Sequence, residues 1–153
     1  MVRKFRKEDL SAVMQIWLDT NIQTHRFIAK EYWTGHYEMV KEMLPQAEVY
    51  VYEEEKTNQM EGFIGLTKDY IAGIFVRSEA QSKGIGTQLL DYVKSIRTGL
   101  YLSVYQKNIR AIDFYQREHF VIQSEHRDED TEEKEFVMTW NRQENSNLSG
   151  RKE

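Results

Sequence analysis

Cysteine is absent from this chain of 153 residues. That excludes disulfides, thiolate metal sites and any acyl-cysteine intermediate. Proline occurs once, at Pro45, where it should end a helix. No apolar run approaches the length needed to span a bilayer, and nothing resembling a secretory signal follows the basic residues at the N-terminus. A cationic surplus is also absent. Lys plus Arg number 21 and Asp plus Glu 25, a net charge of −4, which argues against nucleic acid as the main partner because phosphates would go unneutralised. The histidines, His25, His36, His119 and His126, lack metal-ligand spacing, so no metal is expected. The length suits one domain with a single sizeable core, and the expected location is the cytoplasm, with no membrane partner.

Hydrophobic periodicity divides what is there into alternating elements. Residues 2–6 read as an edge strand. Leu10, Val13, Met14 and Trp17 recur at helical spacing behind Glu8 and Asp9, whose charges suit a helix N-terminus, and this helix should reach about Thr20. A second helix is expected over residues 29–44 with Tyr32, Trp33, Tyr37, Val40 and Leu44 as its stripe, a core face or the lining of a substrate cleft. Gly35 inside it marks a break or a close approach. Three strands come next, at residues 49–54, 60–67 and 70–76, in an antiparallel meander. Gly62 and Gly65 weaken the second or mark a bulge. The third is nearly all apolar, as a strand buried on both faces should be.

Beyond the meander lies Gln81-Ser82-Lys83-Gly84-Ile85-Gly86-Thr87, then a helix on whose one face lie Ile85, Leu89, Leu90, Val93 and Ile96. A strand, glycine loop and helix in this order can hold a phosphate on the unpartnered N–H groups of the first helical turn, or can be a plain turn. It is not a dinucleotide fingerprint, whose third glycine would fall at Leu89, nor a P-loop, which needs Gly-Lys-Ser/Thr. Residues 100–105 alternate as a strand, 108–118 read as a helix, and residues 120–122 and 136–140 read as a late hairpin. The crossover makes the 100–105 strand parallel to the 71–76 strand. The acidic run from Glu125 to Glu135 is a solvated hairpin loop, or a patch that steers cationic substrates. Residues 142–153 are expected to be a disordered polar tail.

Two segments together carry a resemblance. Gln81-x-x-Gly84-x-Gly86, followed by Asn108-x-x-Ala111-x-x-Phe114-Tyr115 and Phe120, resembles the paired motifs of the GNAT superfamily of N-acetyltransferases. The element order is similar over residues 2–141. The chain looks most like small stand-alone bacterial members of the YiaC-like type, sharing Ile16-Trp17-Leu18, His25, Phe27-Ile28, Tyr32-Trp33 and Val104 to Asn108. The resemblance implies an α/β acyl-CoA N-acyltransferase fold in a single domain at residues 1–141. Its sheet would be mostly antiparallel with one parallel pair, flanked by about four helices.

It further implies acetyl-CoA as co-substrate and direct attack by an amine, from a small molecule or a lysine-bearing protein. The cofactor's pyrophosphate would rest on Gln81, Ser82, Lys83, Gly84, Ile85, Gly86 and Thr87. Its pantetheine arm would meet the backbone at Ile74, Phe75 and Val76 and the side of Asn108 and Ala111. Asn108 is equally a favoured helix N-cap. The Val76 N–H would serve the oxyanion, and Tyr115 would protonate the departing thiolate. The chain departs from the family pattern twice. Tyr70, Ile71, Ala72 and Gly73 stand where many members carry a glutamate base, so Tyr70 would border the acceptor tunnel, and His25 or solvent would take the proton. His119 replaces a glycine at a site that often needs positive φ. A non-catalytic acyl-CoA-binding module is the alternative function, and the assembly is a monomer or homodimer.

Overall fold

The computed structural model describes residues 1–142. All but the first residue of the expected tail lies outside the described residues. In chain order the elements are β1 (Val2–Lys4), α1 (Leu10–Thr24), α2 (Lys30–Met43), β2 (Glu48–Glu53), β3 (Met60–Thr67), β4 (Tyr70–Val76), α3 (Ile85–Ser95), β5 (Gly99–Tyr105), α4 (Ile109–Arg117), β6 (Val121–Arg127) and β7 (Lys134–Asn141). The strands form one seven-stranded sheet in the order β1-β2-β3-β4-β5-β7-β6. Its one parallel pair is β4 with β5, in register at Tyr70↔Tyr101 and Ile71↔Leu102, as the helical crossover requires.

Contacts divide the chain into two compact units. The first comprises Met1–Thr67 and Ala72–Tyr92. Val13, Met14, Val51, Ile64, Leu66, Leu89 and Leu90 are fully buried there. Arg3 ties β1 to the start of α1 and to the end of β2, with Nη1 2.8 Å from Asp9 and Nε 3.1 Å from Glu53. The helix α1 runs past Thr20 to Thr24. The polar residues that interrupt the apolar pattern bond back to their own helix: Thr20 Oγ1 donates to the Ile16 carbonyl at 2.6 Å and Asn21 Nδ2 to the Trp17 carbonyl at 2.9 Å. Both are buried, a satisfied burial that periodicity alone cannot register.

Three further expectations are corrected. Of the α2 stripe, Trp33 alone is buried within the helix, while Tyr32, Tyr37 and Val40 are half-buried. Gly35 marks neither a break nor a close approach, since the helix continues and a Cβ there would meet nothing within 4 Å. The apolar β4 is not buried on both faces: Ile71 is buried, Ala72 is exposed and the remaining residues are half-buried.

The second unit comprises Lys68–Ile71 and the chain from Val93 on. Leu100, Leu102, Val104, Phe120, Met138 and Trp140 form its core. Lys94 joins the end of α3 to the end of α4, with Nζ 2.6 Å from the Glu118 carbonyl and 5.2 Å from the Trp140 ring centroid. Ile96 falls beyond α3 and is 43% exposed. The acidic run is loop only over residues 128–133. Its first residues belong to β6 and its last to β7, paired at Glu125↔Phe136, His126↔Glu135 and Arg127↔Lys134.

Candidate functional site

The glycine loop lies in the first unit. β4 ends at Val76, a 3₁₀ turn occupies Ser78–Ala80, and α3 begins at Ile85. Gln81 folds back, its Nε2 donating to the Val76 carbonyl at 3.0 Å. This glutamine therefore fixes the base of the loop to the end of the strand. Ser82 has φ 67° and Gly84 φ 82°, while Lys83 between them does not share the left-handed conformation. Alternating hand turns successive N–H groups toward one side, which makes a concavity suited to an anion. The helix dipole adds positive potential at the same place. Ser82, Lys83 and Gly84 are exposed, and a Cβ on Gly84 would meet nothing within 4 Å. The loop is open on the side where an anion would sit.

Gly62 supports this strand end from below. A Cβ there would lie 2.7 Å from the Phe75 carbonyl oxygen. Only glycine permits that approach without displacing β4. The β2–β3 register shifts beside Gly62, between Tyr52↔Gly62 and Glu53↔Met60, so the expected bulge falls there and not at Gly65, which has nothing within 4 Å. A separate cavity of about 300 Å³ lies beside α1, lined by Gln15, Ile16, Asp19, Met60, Arg77 and Glu79 among others. Its main charges compensate each other, Arg77 pairing with Glu79 at 3.1 Å.

His25 also belongs to the first unit. Its Nδ1 lies 3.1 Å from Asn21 Oδ1, and its ring packs 5.5 Å from Trp33 and 5.7 Å from Phe27. Burial pushes its pKa down to about 4, because the cation cannot be solvated there. It is a neutral, packed imidazole and a weak base.

The second motif lies in the second unit. Asn108 caps α4, its side-chain oxygen accepting from the Ala111 N–H at 3.2 Å. The helix ends at Arg117, and beyond its cap His119 has φ 74°, the left-handed conformation expected where glycine usually stands. The Phe120 N–H then closes onto the Tyr115 carbonyl at 2.9 Å. Tyr115 is 8% exposed, with its ring 5.3 Å from Phe114 and 5.6 Å from Phe120. Its hydroxyl makes no hydrogen bond among the described residues. Burial first, and the Tyr70 phenol second, raise its pKa above the usual 10. At neutral pH it is a protonated donor.

The solvent-side face of the same unit holds polar residues that motif reading missed. On β5, Tyr101, Ser103 and Tyr105 alternate with buried Leu100, Leu102 and Val104. The Tyr70 ring packs 5.1 Å from Tyr101 and its hydroxyl bonds Ser103. Tyr105 donates to Asp128 at 3.0 Å. Glu135 stands opposite Tyr105 on one side and His126 on the other. The period-two alternation of residues 100–105 was a visible signal for this face. The place of Glu135 on it depended on the hairpin register. Among the described residues no group of three or more His, Asp or Glu could hold a metal ion.

The glycine loop after the first strand of the parallel pair and the Asn-capped helix after the second are the two segments that carry the resemblance to the GNAT N-acetyltransferases. Residues 45–122 match the acetyltransferase (GNAT) domain. The chain is 32% identical to the peptidyl-lysine N-acetyltransferase YiaC of Escherichia coli, over 92% of this chain and 96% of that protein. It is 26% identical to the peptidyl-lysine N-acetyltransferase YjaB of Salmonella typhimurium, over 79% of this chain and 83% of that one. In fold it is similar to the apo-form solution structure of YjaB from Escherichia coli, with a TM-score of 0.81, covering 92% of this chain and 96% of that one. A putative acetyltransferase from Salmonella typhimurium, solved with acetyl-CoA, aligns with a TM-score of 0.65 over 93% of each chain. The chain belongs to the GNAT acetyltransferase family, and it is an N-acetyltransferase.

Proposed function

We propose that this protein transfers the acetyl group of acetyl-CoA to the side-chain amine of a peptidyl lysine, with a small primary amine as the other acceptor class. The amine attacks the thioester directly while both substrates are bound, and residues 1–141 act as one catalytic domain. The observation that carries this reading is the loop after β4, with its left-handed Ser82 and Gly84 and its Gln81 clasp onto Val76. The lysine acceptor is supported by the relatives of similar length, which are named peptidyl-lysine N-acetyltransferases. No described helix is long and apolar enough to cross a membrane, and we place the reaction in the cytoplasm.

The parts divide the work. Residues 81–87 hold the pyrophosphate with backbone N–H groups, helped by Lys83 and the Thr87 hydroxyl. The backbone of Ile74, Phe75 and Val76, together with Asn108 and Ala111, orients the pantetheine arm. Acetyl-CoA supplies an activated acyl group with a thiol leaving group. The Val76 N–H stabilises negative charge on the carbonyl oxygen. Tyr115 gives its proton to the departing sulfur; its buried ring and a hydroxyl with no hydrogen-bond partner among the described residues support that role. Tyr70 borders the acceptor. His25, neutral and packed against Trp33, is better suited to shape the acceptor side than to serve as base.

The lack of a carboxylate on β4 favours one rival, an acyl-CoA-binding module without turnover. Thiol release from acetyl-CoA with a panel of lysine peptides and small amines separates the two. The transferase reading expects turnover that falls about 10²–10⁴-fold in Tyr115→Phe, with acetyl-CoA binding kept. Binding without turnover across the panel would support the module, and an undiminished Tyr115→Phe rate would remove Tyr115 from the mechanism.

A further inference from the structure

We propose that Glu135 receives the acceptor as an ammonium ion and takes its proton, which makes the preferred acceptor a cationic primary amine presented to the sheet face that carries Tyr70, Ser103 and Tyr105. The role rests on the acetyl-transfer reading above.

Glu135 differs from the other acids of its run. Glu133 is paired with Lys107 at 3.2 Å. Asp128 is occupied by the Tyr105 and Thr131 hydroxyls, at 3.0 and 3.1 Å. The Glu135 side chain is only 14% exposed, and its one side-chain partner among the described residues is His126 Nε2, 2.9 Å from Oε1. Oε2 has no partner among the described residues, and no lysine or arginine compensates the charge. A carboxylate drawn from water without a cation is a site that gains by receiving one. Burial, opposed by the His126 hydrogen bond and reinforced by the Asp128 charge, raises its pKa above the usual value, which makes it a better proton acceptor.

Its surroundings point to the reaction. The register places Glu135 opposite Tyr105 on β5 and His126 on β6. Tyr70 bonds Ser103 and feels the charges of Glu135 and Asp128. Tyr70 also raises the pKa of Tyr115, second to burial; Tyr115 is 8% exposed and its hydroxyl has no partner among the described residues. A proton donor and a proton acceptor thus both lie within electrostatic reach of Tyr70. No other carboxylate is offered by β4, whose sequence near this point is Tyr70, Ile71, Ala72 and Gly73.

The step balances. The ammonium gives one proton to Glu135 Oε2, and the freed lone pair forms the C–N bond at the thioester carbon. The C–S bond breaks and the sulfur takes the Tyr115 proton. The second proton on nitrogen returns to the Tyr115 phenolate through water. The Glu135 proton leaves to bulk water past His126, which is 44% exposed. The products are an amide, a free thiol and one proton.

The test compares wild type, Glu135→Gln, Glu135→Asp and Glu129→Gln with two acceptors, a lysine peptide and an acyl hydrazide. The hydrazide is neutral at pH 7.5 and needs no base to attack. Glu135→Gln should lower kcat/KM for the peptide by about 10²-fold or more and for the hydrazide by less than about threefold. The acetyl-CoA KM should be unchanged, and the peptide deficit should shrink as the pH rises through about 10.4, where lysine loses its own proton. Glu129→Gln, exposed in the same run, should match wild type. Melting curves check the fold. If Glu135→Gln is unfolded, Glu135→Asp carries the comparison, with a smaller loss confined to the peptide. Equal losses with both acceptors, or no loss with the peptide, overturn the role of Glu135 alone. Wild type that releases no thiol with either acceptor overturns the acetyl-transfer reading and this role with it.

Discussion

Replacing Gly62 with alanine tests whether β3 positions the cofactor strand. The added Cβ would sit 2.7 Å from the Phe75 carbonyl oxygen, 3.3 Å from Val76 Cγ2 and 3.4 Å from Ile85 Cγ2. The first distance is too short for any real contact, and its atom is backbone, so the side chain cannot swing clear. Relief requires β4 to recede by several tenths of an ångström at Phe75, among the residues assigned to the pantetheine arm. Overpacking of this kind costs about 1–3 kcal/mol. Losing the conformational freedom of an unfolded glycine returns about 0.4–1 kcal/mol. The net destabilisation is then at most about 2.6 kcal/mol and about 1.3 kcal/mol at the middle of both ranges, or about 3–5 °C in Tm for a domain of this size. Gly65→Ala is the control: it lies in the same strand, has nothing within 4 Å, and should match or exceed wild type. Thermal melts give the stability, and calorimetric titration with CoA gives the affinity, which should weaken for Gly62→Ala alone. A Gly62→Ala protein that melts and binds CoA like wild type would refute the idea that this contact holds the strand.

Two more perturbations probe the site. Gly84→Val places a β-branched residue at φ 82°, a conformation it strongly disfavours, and puts its side chain into the open side of the anion loop. CoA titration should detect no binding while α3 and the fold persist by circular dichroism; retained affinity would remove the loop from the cofactor site. His25 has a folded pKa of about 4 against an ordinary 6.5, so between those values the unfolded chain binds more protons than the folded one. Stability therefore rises with pH across that window and is lost as pH falls through it, by on the order of 3 kcal/mol. His25→Gln should remove that slope from denaturant-melt stabilities measured from pH 7 to 4, and an unchanged slope would show that His25 is not held neutral.

The elements were legible because their signals are local. β3 occupies residues 60–67 as expected, β5 alternates through residues 100–105, and α4 starts at its Asn108 cap. Errors fell where burial did not follow polarity. α1 continues through Thr20 and Asn21 because their side chains satisfy themselves on the helix carbonyls. β4 looks like a doubly buried strand by composition, yet only Ile71 is buried. The acidic run reads as a loop by charge, but the hairpin absorbs both its ends.

By itself the sequence determined the glycine loop and the Asn-capped helix. Glycine at a left-handed position, a helix start behind it and an asparagine cap are properties of a few consecutive residues, set by backbone sterics and by unpaired N–H groups. Only the tertiary structure decided which acid of the late hairpin is drawn from water. Which of the acids in residues 125–135 turns inward, and what it faces, depends on the pairing of Glu135 with Tyr105 and His126. A slip of one residue would send that side chain to the opposite face. Register, and the burial that comes with it, joins residues far apart in the chain, so no local pattern could name Glu135 or predict that His25 is held neutral.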